Sequence, residues 1–327
     1  MNIEIPAFSK RGNWYKGNLH IHTVLSDGKA TAEQIVALYR KAGYHFLAIT
    51  DHNVFQAYPQ FSGERLLMLA GTELTPGFDK RDHKLMEAVE AYRKGEFEFG
   101  KAEPSLRQRI NALCSPHVIA ISRRETNAFW EAESGRLTGI QDMIDYAAEK
   151  GCLSIVAHPA WSKLDTQTLL SLQGYTAMEV YNHASSPWEE SSSQWDLSLD
   201  QGARVFSMAC DDAHEPGDVD GGYIMVKSAA LTYDAIIGAL ESGDYYSSCG
   251  PVIENFYFDG GCVGVSCSKA KEVRFLTDNR FGRTHRAEKG AFLTHCTHRL
   301  LGNERYVRVE IVDMEGRKAW TNPAFLW

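Results

Sequence analysis

The chain has 327 residues, with 34 Lys or Arg against 42 Asp or Glu, a formal net charge of −8, and 44% hydrophobic residues. This composition is typical of a globular protein with a large core, and it excludes a disordered or collagen-like chain. The acidic balance argues against partners such as long nucleic acid or an anionic membrane, because neither would attract a negative protein.

The chain also lacks the sequence signals of a membrane or secreted protein. The N-terminal residues contain no apolar signal core, and no apolar run reaches the roughly 18 residues that a membrane span needs. The seven cysteines include no C-x-x-C pair, which argues against a disulfide framework or a zinc knuckle. We therefore expect a cytoplasmic protein with reduced thiols.

The first elements form a strand, helix, strand unit. Residues 18–22 alternate between apolar and polar side chains, which predicts a strand with both of its histidines on one face. Thr31 and Gln34 then have the spacing of a capping box at the start of a helix. A second apolar strand, residues 46–49, is followed by His52.

Five more short apolar runs follow, each next to polar side chains. They are 66–70 before Thr72 and Glu73, 118–121 after His117, 153–157 before His158, 177–181 before Asn182, and 205–209 before Asp211, Asp212 and His214. Helical patterns separate several runs, and the clearest, 138–151, is predicted to begin with a capping box of Thr138 and Gln141. Seven strands alternating with helices predict an α/β fold with parallel strands.

Two segments depart from this rhythm. Residues 79–113 are charged and helix-prone, and we expect a helical insertion there, either a solvated excursion or a lid. From residue 251 onward the patterns are those of β-strands. We therefore predict a main domain over 1–250 and a small β-rich appendage over 251–327.

The polar residues beside the strands indicate a metal site. In α/β barrels the carboxyl ends of the strands meet at one rim, so side chains that are distant in sequence converge there. Buried histidines and carboxylates without a counter-charge would be very costly, and bound metal is the usual compensation. Oxygen and imidazole donors without thiolate suit Zn, Mn or Fe.

Taken in order, these motifs resemble those of the PHP (polymerase and histidinol phosphatase) superfamily of metal-dependent phosphoesterases. They are GNLHIHT with SDG at 17–28, ITDH at 49–52, GTE at 71–73, AHP at 157–159, EVYN at 179–182 and DDAH at 211–214. The resemblance covers about residues 14–250, and the stretch 240–251 with the β-rich tail is similar to the carbaryl-hydrolase-like branch. It implies a distorted seven-stranded, TIM-like β/α barrel.

The resemblance implies a site for two or three divalent metal ions. One ion would bind His20, His22, Glu73 and Asp212, a second would bind Glu73, His158 and one further histidine, and a third would bind Asp27, His52 and His214. The further histidine is His117, which precedes a short apolar strand, or His83, which is nearer to Glu73 in sequence but lies in a helical pattern. We favour His117.

The chemistry of such a site predicts ester hydrolysis. A hydroxide bridging the metals would attack the ester, with Glu73 and Asp212 holding it and Asp212 or His214 moving its proton. Candidate contacts for the substrate oxygens are Arg123, Arg124, Asn182 and His183. The leading prediction is a phosphoesterase acting on phosphate mono- or diesters of a small molecule, a nucleotide or a short oligonucleotide. The alternatives are a hydrolase of carboxylic or carbamate esters and a non-enzymatic, metal-binding regulatory protein.

Overall fold

Short apolar runs form the strands of one continuous mixed sheet. The computed structural model describes residue 5 and residues 7–77, 82–113, 115–278 and 281–326. The first eleven strands are β1 (Asn13–Asn18), β2 (Phe46–Ile49), β3 (Val54–Gln56), β4 (Leu67–Leu74), β5 (His117–Ser122), β6 (Phe129–Glu131), β7 (Cys152–Ala157), β8 (Ala177–Asn182), β9 (Phe206–Cys210), β10 (Tyr223–Ser228) and β11 (Tyr245–Ser248).

The described residues also contain seven α-helices and a further set of strands. The helices are α1 (Ala32–Lys41), α2 (His83–Arg93), α3 (Pro104–Leu113), α4 (Ile140–Glu149), α5 (Thr166–Ser171), α6 (Ser192–Asp200) and α7 (Tyr233–Ser242). The remaining strands are β12 (Ile253–Asp259), β13 (Cys262–Thr277), β14 (Arg283–Arg286), β15 (Leu293–Arg299), β16 (Tyr306–Asp313), β17 (Lys318–Thr321) and β18 (Ala324–Phe325).

The strand directions differ from the predicted parallel barrel. β1, β2 and β4 pair in parallel, as do β7, β8 and β9. β5, however, lies antiparallel between β4 and β7, and β10 lies antiparallel between β1 and β11. Over the described residues the sheet is mixed and does not close, so a TIM-like barrel is not confirmed.

Two local predictions also need correction. The strand predicted for 18–22 ends at Asn18, and within the rest of it Ile21 makes a single bridge to Ala213. The helix predicted from Thr138 begins at Ile140 with Gly139 as its N-cap, because the Thr138 hydroxyl donates to Asp142 instead of capping the helix. The apolar face predicted for this helix is buried.

The capping box predicted for α1 is confirmed. The Thr31 hydroxyl accepts a hydrogen bond from the Gln34 amide, and the Gln34 side chain accepts one from the Thr31 amide. This reciprocal pair satisfies two amide groups that a helix start would otherwise leave unpaired. It fixes the first turn of α1 directly after the loop that carries Asp27.

The predicted helical insertion consists of α2 and α3. Leu85 and Val89 of α2 and Ile110 of α3 are buried in a small apolar cluster of their own. Residues 79–81 of the predicted insertion lie outside the described residues. The two helices therefore pack on each other as a unit between β4 and β5.

The C-terminal residues are β-rich and make extensive contacts with the predicted main domain. β17 pairs antiparallel with β11, and Trp320 of β17 is fully buried in the core, 6.0 Å from the Tyr181 ring. Arg308 of β16 donates two hydrogen bonds of 2.7 Å to Asp196 of α6. Residues 251–327 therefore continue the sheet of residues 1–250 and add Tyr306 and Trp320 to its core, whereas most of their buried side chains form an apolar cluster of their own.

The cysteines within the described residues form no disulfide with one another. The thiols of Cys152, Cys210, Cys249, Cys262, Cys267 and Cys296 are all free. Within the part of the chain that the structure describes, the helices are too short or too polar to cross a bilayer.

Candidate metal centre

The polar residues predicted from the strand ends meet at one end of the sheet. His20 and His22 follow β1, Glu73 lies near the end of β4, and His158 follows β7. His117 is the first residue of β5, and because β5 runs antiparallel to β7, its partner is Ala157, directly before His158. An antiparallel strand thus brings its first residue to the edge where its neighbours end.

Of the two candidates for the further histidine, the structure brings His117 to the cluster. His117 is 3% exposed and its ring lies 4.9 Å from that of His158. His83 is an exposed residue at the start of α2.

Glu73 lies at the middle of this cluster and is 1% exposed. Its two carboxylate oxygens approach five imidazole rings. Oε1 lies 2.9 Å from Nδ1 of His117, 3.1 Å from Nε2 of His158 and 3.3 Å from Nε2 of His20, while Oε2 lies 2.9 Å from Nδ1 of His52 and 3.3 Å from Nε2 of His22. One carboxylate therefore connects five imidazole rings from four separate segments.

Asp212 forms a second centre beside Glu73. Its Oδ1 atom lies 3.1 Å from Nε2 of both His20 and His22. Its Oδ2 atom accepts a 3.2 Å hydrogen bond from the Asn182 amide. Asp212 and His20 thus complete a group with Glu73, as expected for the first predicted metal.

Asp27 forms the third group with histidines from three segments. Its Oδ2 lies 3.4 Å from Nε2 of His52, and its Oδ1 lies 3.4 Å from Nε2 of His214 and 3.5 Å from Nδ1 of His22. One donor atom from each of these four residues lies within 4.8 Å of the others. This spacing allows the four residues to hold one cation.

The charges of the cluster are strongly coupled. Burial by itself lowers the pKa of His20, but Asp212, Glu73 and Glu179 together raise it well above its ordinary value. For His52, Asp27 and Glu73 outweigh burial and raise the pKa to about 10. The carboxylates of this site create a field that favours positive charge, supplied by imidazolium or by bound cations.

His117 behaves differently from its neighbours. Burial lowers its pKa to about 4, because the nearby Glu73 only partly offsets the cost of charging a buried ring. The ring is therefore neutral at physiological pH. A neutral imidazole is the form that coordinates a metal.

Several buried atoms of the cluster lack a hydrogen-bond partner. Within the described part of the chain these include Nε2 of His20, His22 and His117 and Oδ1 of Asp212. Buried polar atoms without a partner are costly, and native structures contain few of them. All of these atoms are good ligands for a divalent cation, so the residues present fit the metal that the sequence implies.

Glu179 is a functional residue that our sequence analysis did not single out. Its Oε1 atom lies 2.7 Å from Nδ1 of His20, and its Oε2 accepts hydrogen bonds of 2.7 Å from the His158 amide and 2.8 Å from Asn182. Cys210 donates its thiol hydrogen to Oε1. A carboxylate within an otherwise apolar strand was the signal that could have identified it.

These contacts give Glu179 a positioning role. A proton on Nδ1 of His20 that is donated to Glu179 leaves Nε2 free to face Glu73 and Asp212. Such outer carboxylates set the tautomer and orientation of ligand histidines. Glu179 also aligns the backbone at His158, so it couples two strand ends.

Replacing Glu179 by glutamine should weaken metal binding without unfolding the protein. We expect the affinity for Zn²⁺ or Mn²⁺ to fall by about 10–100-fold, because the amide is a weaker acceptor for the His20 ring. Competition titration with a chromogenic chelator measures this change. Glu189→Gln, the same change in the loop after β8, is the control, and equal affinities in both variants would refute the positioning role.

Two metal-site residues have strained backbones. His158 has a φ of 30° and Asp212 a φ of 52°, in the region that side-chain-bearing residues rarely adopt. Such conformations persist where the surrounding structure determines them, and they are concentrated at functional sites. His158 directly follows β7 and Asp212 lies two residues after the end of β9, so both residues lie in turns that direct their side chains into the cluster.

Two of the predicted substrate contacts, Arg123 and Arg124, lie away from the metal cluster. Arg123 and Arg124 follow the far end of β5, where the Arg123 amide donates to Gly151 before β7 and its guanidinium contacts Glu241. The structure therefore does not bring these arginines to the metal cluster. Because β5 is antiparallel to β4 and β7, the residues that follow it lie at the edge of the sheet opposite His117.

Asn182 and His183, also predicted to contact the substrate, make contacts within the protein and do not line the cavity over the cluster. Asn182 is 1% exposed, and its amide group is engaged by Glu179, Asp212 and Ser185. It orients the Asp212 carboxylate. His183 packs closely against Gly221 and lies 3.3 Å from the Tyr181 hydroxyl, and it does not line the cavity over the cluster.

The cluster forms the floor of a cavity of about 440 Å³. Metal-site residues and other side chains share its lining, which includes Asp27, His52, Glu73, His117, His158, Asp212 and His214, together with Lys29, Val89, Tyr92, Ile110, Trp161, Ala184, Ser185, Glu215 and Asp218. This volume is in the range of small-molecule sites. The candidate ligands are thus accessible to a substrate of modest size.

Comparison with known proteins agrees with the first part of the site. The family model of the PHP domain matches residues 18–96, which include His20, His22, Asp27, His52 and Glu73. No curated protein matches the chain.

Solved structures with a similar chain trace are distant in sequence. A two-domain protein from Bacteroides vulgatus, containing a predicted PHP-like metal-dependent phosphoesterase, is 14% identical with a TM-score of 0.46, over 96% of this chain and 94% of that one. An amidohydrolase from Chromobacterium violaceum, with bound sulfate and no metal, is 15% identical with a TM-score of 0.35, over 62% of this chain and 88% of that one.

Proposed function

We propose that this protein is a metal-dependent hydrolase of phosphate mono- or diesters of a small molecule, a nucleotide or a short oligonucleotide. The main support is the set of buried imidazole and carboxylate atoms that make no hydrogen bond and lie close together beside an accessible cavity. Two or three Zn, Mn or Fe ions would be held by His20, His22, Asp27, His52, Glu73, His117, His158, Asp212 and His214.

In this proposal the residues of the site have different roles in the hydrolysis. Bound divalent cations supply Lewis acidity, which activates water and neutralises negative charge on the phosphoryl group. Glu73 aligns His117 through its Oε1 atom and His52 through its Oε2 atom. His214 is held by a 2.8 Å contact between its Nδ1 and the Asp212 carbonyl, so its Nε2 faces Asp27 as a ligand. Asp212 borders the cavity, and we assign it the acceptance of the proton released by the attacking water.

Hydrolysis of a carboxylic or carbamate ester is the second candidate, and the charges of the cavity favour it. Among the described residues that line the cavity, Lys29 is the sole Lys or Arg, and its ammonium contacts Glu215. The protein therefore offers few cationic groups for a phosphate beyond the metals. This candidate would agree with the resemblance to the carbaryl-hydrolase-like branch, which stays a prediction.

The third candidate, a non-enzymatic metal-binding regulatory protein, predicts missing ligands. Each predicted ligand lies at the cluster, and the cavity reaches it. A non-enzymatic role is therefore the least supported of the three candidate functions.

The decisive experiment combines elemental analysis with a substrate panel. Purified protein should retain two or more equivalents of metal and hydrolyse some member of a panel of phosphomonoesters, phosphodiesters, dinucleotides and aryl carbamates. Chelation should remove the activity, and added Zn²⁺ or Mn²⁺ should restore it. Retention of metal without turnover of any panel member above Asp212→Asn would contradict the enzymatic proposal, and turnover of carbamates alone would favour the second candidate.

Arg123→Ala should leave this activity almost unchanged. Because Arg123 lies at the far end of β5 and pairs with Glu241 on the surface, kcat/KM for the best phosphoester should stay within about twofold of wild type. Steady-state kinetics on the metal-loaded protein measures this. A loss of tenfold or more would show that the arginine reaches the substrate after all.

A further inference from the structure

The cavity over the metal cluster has two chemically different sides. Its floor consists of histidines and carboxylates, whereas Val89 and Tyr92 of α2, Ile110 of α3 and Trp161 add apolar and aromatic surface. Trp161 packs edge-on against the ring of His158, with ring centroids 5.0 Å apart. Apolar surface therefore begins directly beside a candidate metal ligand.

Packing between α2 and α3 fixes the position of this apolar surface. Ile110 is 1% exposed and Val89 is 9% exposed, and both belong to the small core that joins α2 to α3. Tyr92 is 41% exposed and packs edge-on against Phe99, with ring centroids 6.0 Å apart. A large aromatic side chain that is this exposed and borders a cavity is an available surface for a ligand ring.

The polar residues beside this apolar surface are poorly suited to bind a strongly polar alcohol group. Glu215 contacts Lys29, and the Asp218 carboxylate accepts hydrogen bonds from the His214 and Glu215 amides. The polar rim is therefore engaged in contacts within the protein. It offers little to a strongly polar alcohol group such as a sugar, which needs many hydrogen-bond partners.

We propose that α2 and α3 form the subsite for the alcohol part of the substrate, and that this part is apolar and contains an aromatic ring. This inference rests on the proposed phosphoesterase function and specifies its substrate class. In the reaction, the oxygen of water bonds to phosphorus and the bond from phosphorus to the alcohol oxygen breaks. The alcohol leaves with one of the protons of water, so the products are the free aromatic alcohol and inorganic phosphate from a monoester, or a phosphate monoester from a diester.

Binding of non-hydrolysable phosphonates tests the subsite separately from turnover. Isothermal titration calorimetry of the metal-loaded protein should show that benzylphosphonate binds about tenfold more tightly than ethylphosphonate, because the ring adds buried apolar area. Tyr92→Ala should reduce this preference to about threefold or less. Tyr92→Phe should restore it, since the ring alone is required.

Matched kinetics and controls make the result interpretable. Benzyl phosphate and ethyl phosphate should show the same preference in KM, and Glu87→Ala, an exposed change on α2, should preserve it. Equal binding of the two phosphonates to the wild type, or a full preference in Tyr92→Ala, would overturn the subsite. Binding of neither phosphonate, with hydrolysis of no ester, would overturn the proposed function and this inference together.

Discussion

Glu73→Gln should lose its metal and nearly all of its hydrolytic activity. Glu73 is buried and approaches five histidines with its two oxygens, so an amide at this position removes the charge that connects the groups. We expect a fall in kcat/KM of about a thousandfold, equivalent to about 4 kcal/mol of transition-state stabilisation. Elemental analysis and steady-state kinetics on the same preparation measure both effects.

The control for this variant makes the same chemical change far from the site. Glu241 pairs with Arg123 at the opposite end of the sheet, and Glu241→Gln should keep wild-type metal content and activity within about twofold. If Glu73→Gln retained both full metal content and activity, the assignment of Glu73 as a shared ligand would be wrong. Full metal content with lost activity would instead assign Glu73 to the chemistry.

Trp320→Ala should destabilise the whole protein, although it lies in the C-terminal β-rich region. Its side chain is fully buried in the core that also contains Tyr175 and Val180. Truncation of a buried tryptophan leaves a large cavity, and we expect the free energy of unfolding to fall by about 3–5 kcal/mol. Urea unfolding followed by circular dichroism measures this change.

An exposed tryptophan provides the control. Trp188 is 51% exposed, and Trp188→Ala should change the free energy of unfolding by less than about 1 kcal/mol. A loss below about 1 kcal/mol in Trp320→Ala, or a separate unfolding transition for the C-terminal strands, would show that residues 251–327 fold on their own. Our sequence analysis divided the chain at this point because the patterns change there from alternating helices and strands to strands alone.

Most of the candidate ligands could be identified from the sequence pattern because they interrupt or border an apolar run. His158, Asp212 and Glu73 follow or end such runs, and a polar side chain in that position is conspicuous in the sequence. The metal site as a chemical set was therefore predictable. Glu179 was missed as a positioning residue because its role depends on contacts with His20 and His158, which lie 159 and 21 residues away.

The direction of a strand was not predictable in the same way. Residues 118–121 are apolar throughout and buried on both faces, so they read equally well as a strand running either way. Only the pairing of His117 with Ala157 shows that β5 is antiparallel. That direction brings His117 to the cluster and places Arg123 at the other end of β5.

The sequence by itself determined which donor atoms this protein can offer, because residue type and local spacing set the chemistry of histidines, carboxylates and helix caps. Only the tertiary structure decided which of those atoms lie close together and which side chains line the cavity over them. Strand direction, the packing of α2 on α3 and the pairing of β17 with β11 depend on contacts between distant segments. Such contacts arise from burial shared by whole surfaces, and no local pattern records them.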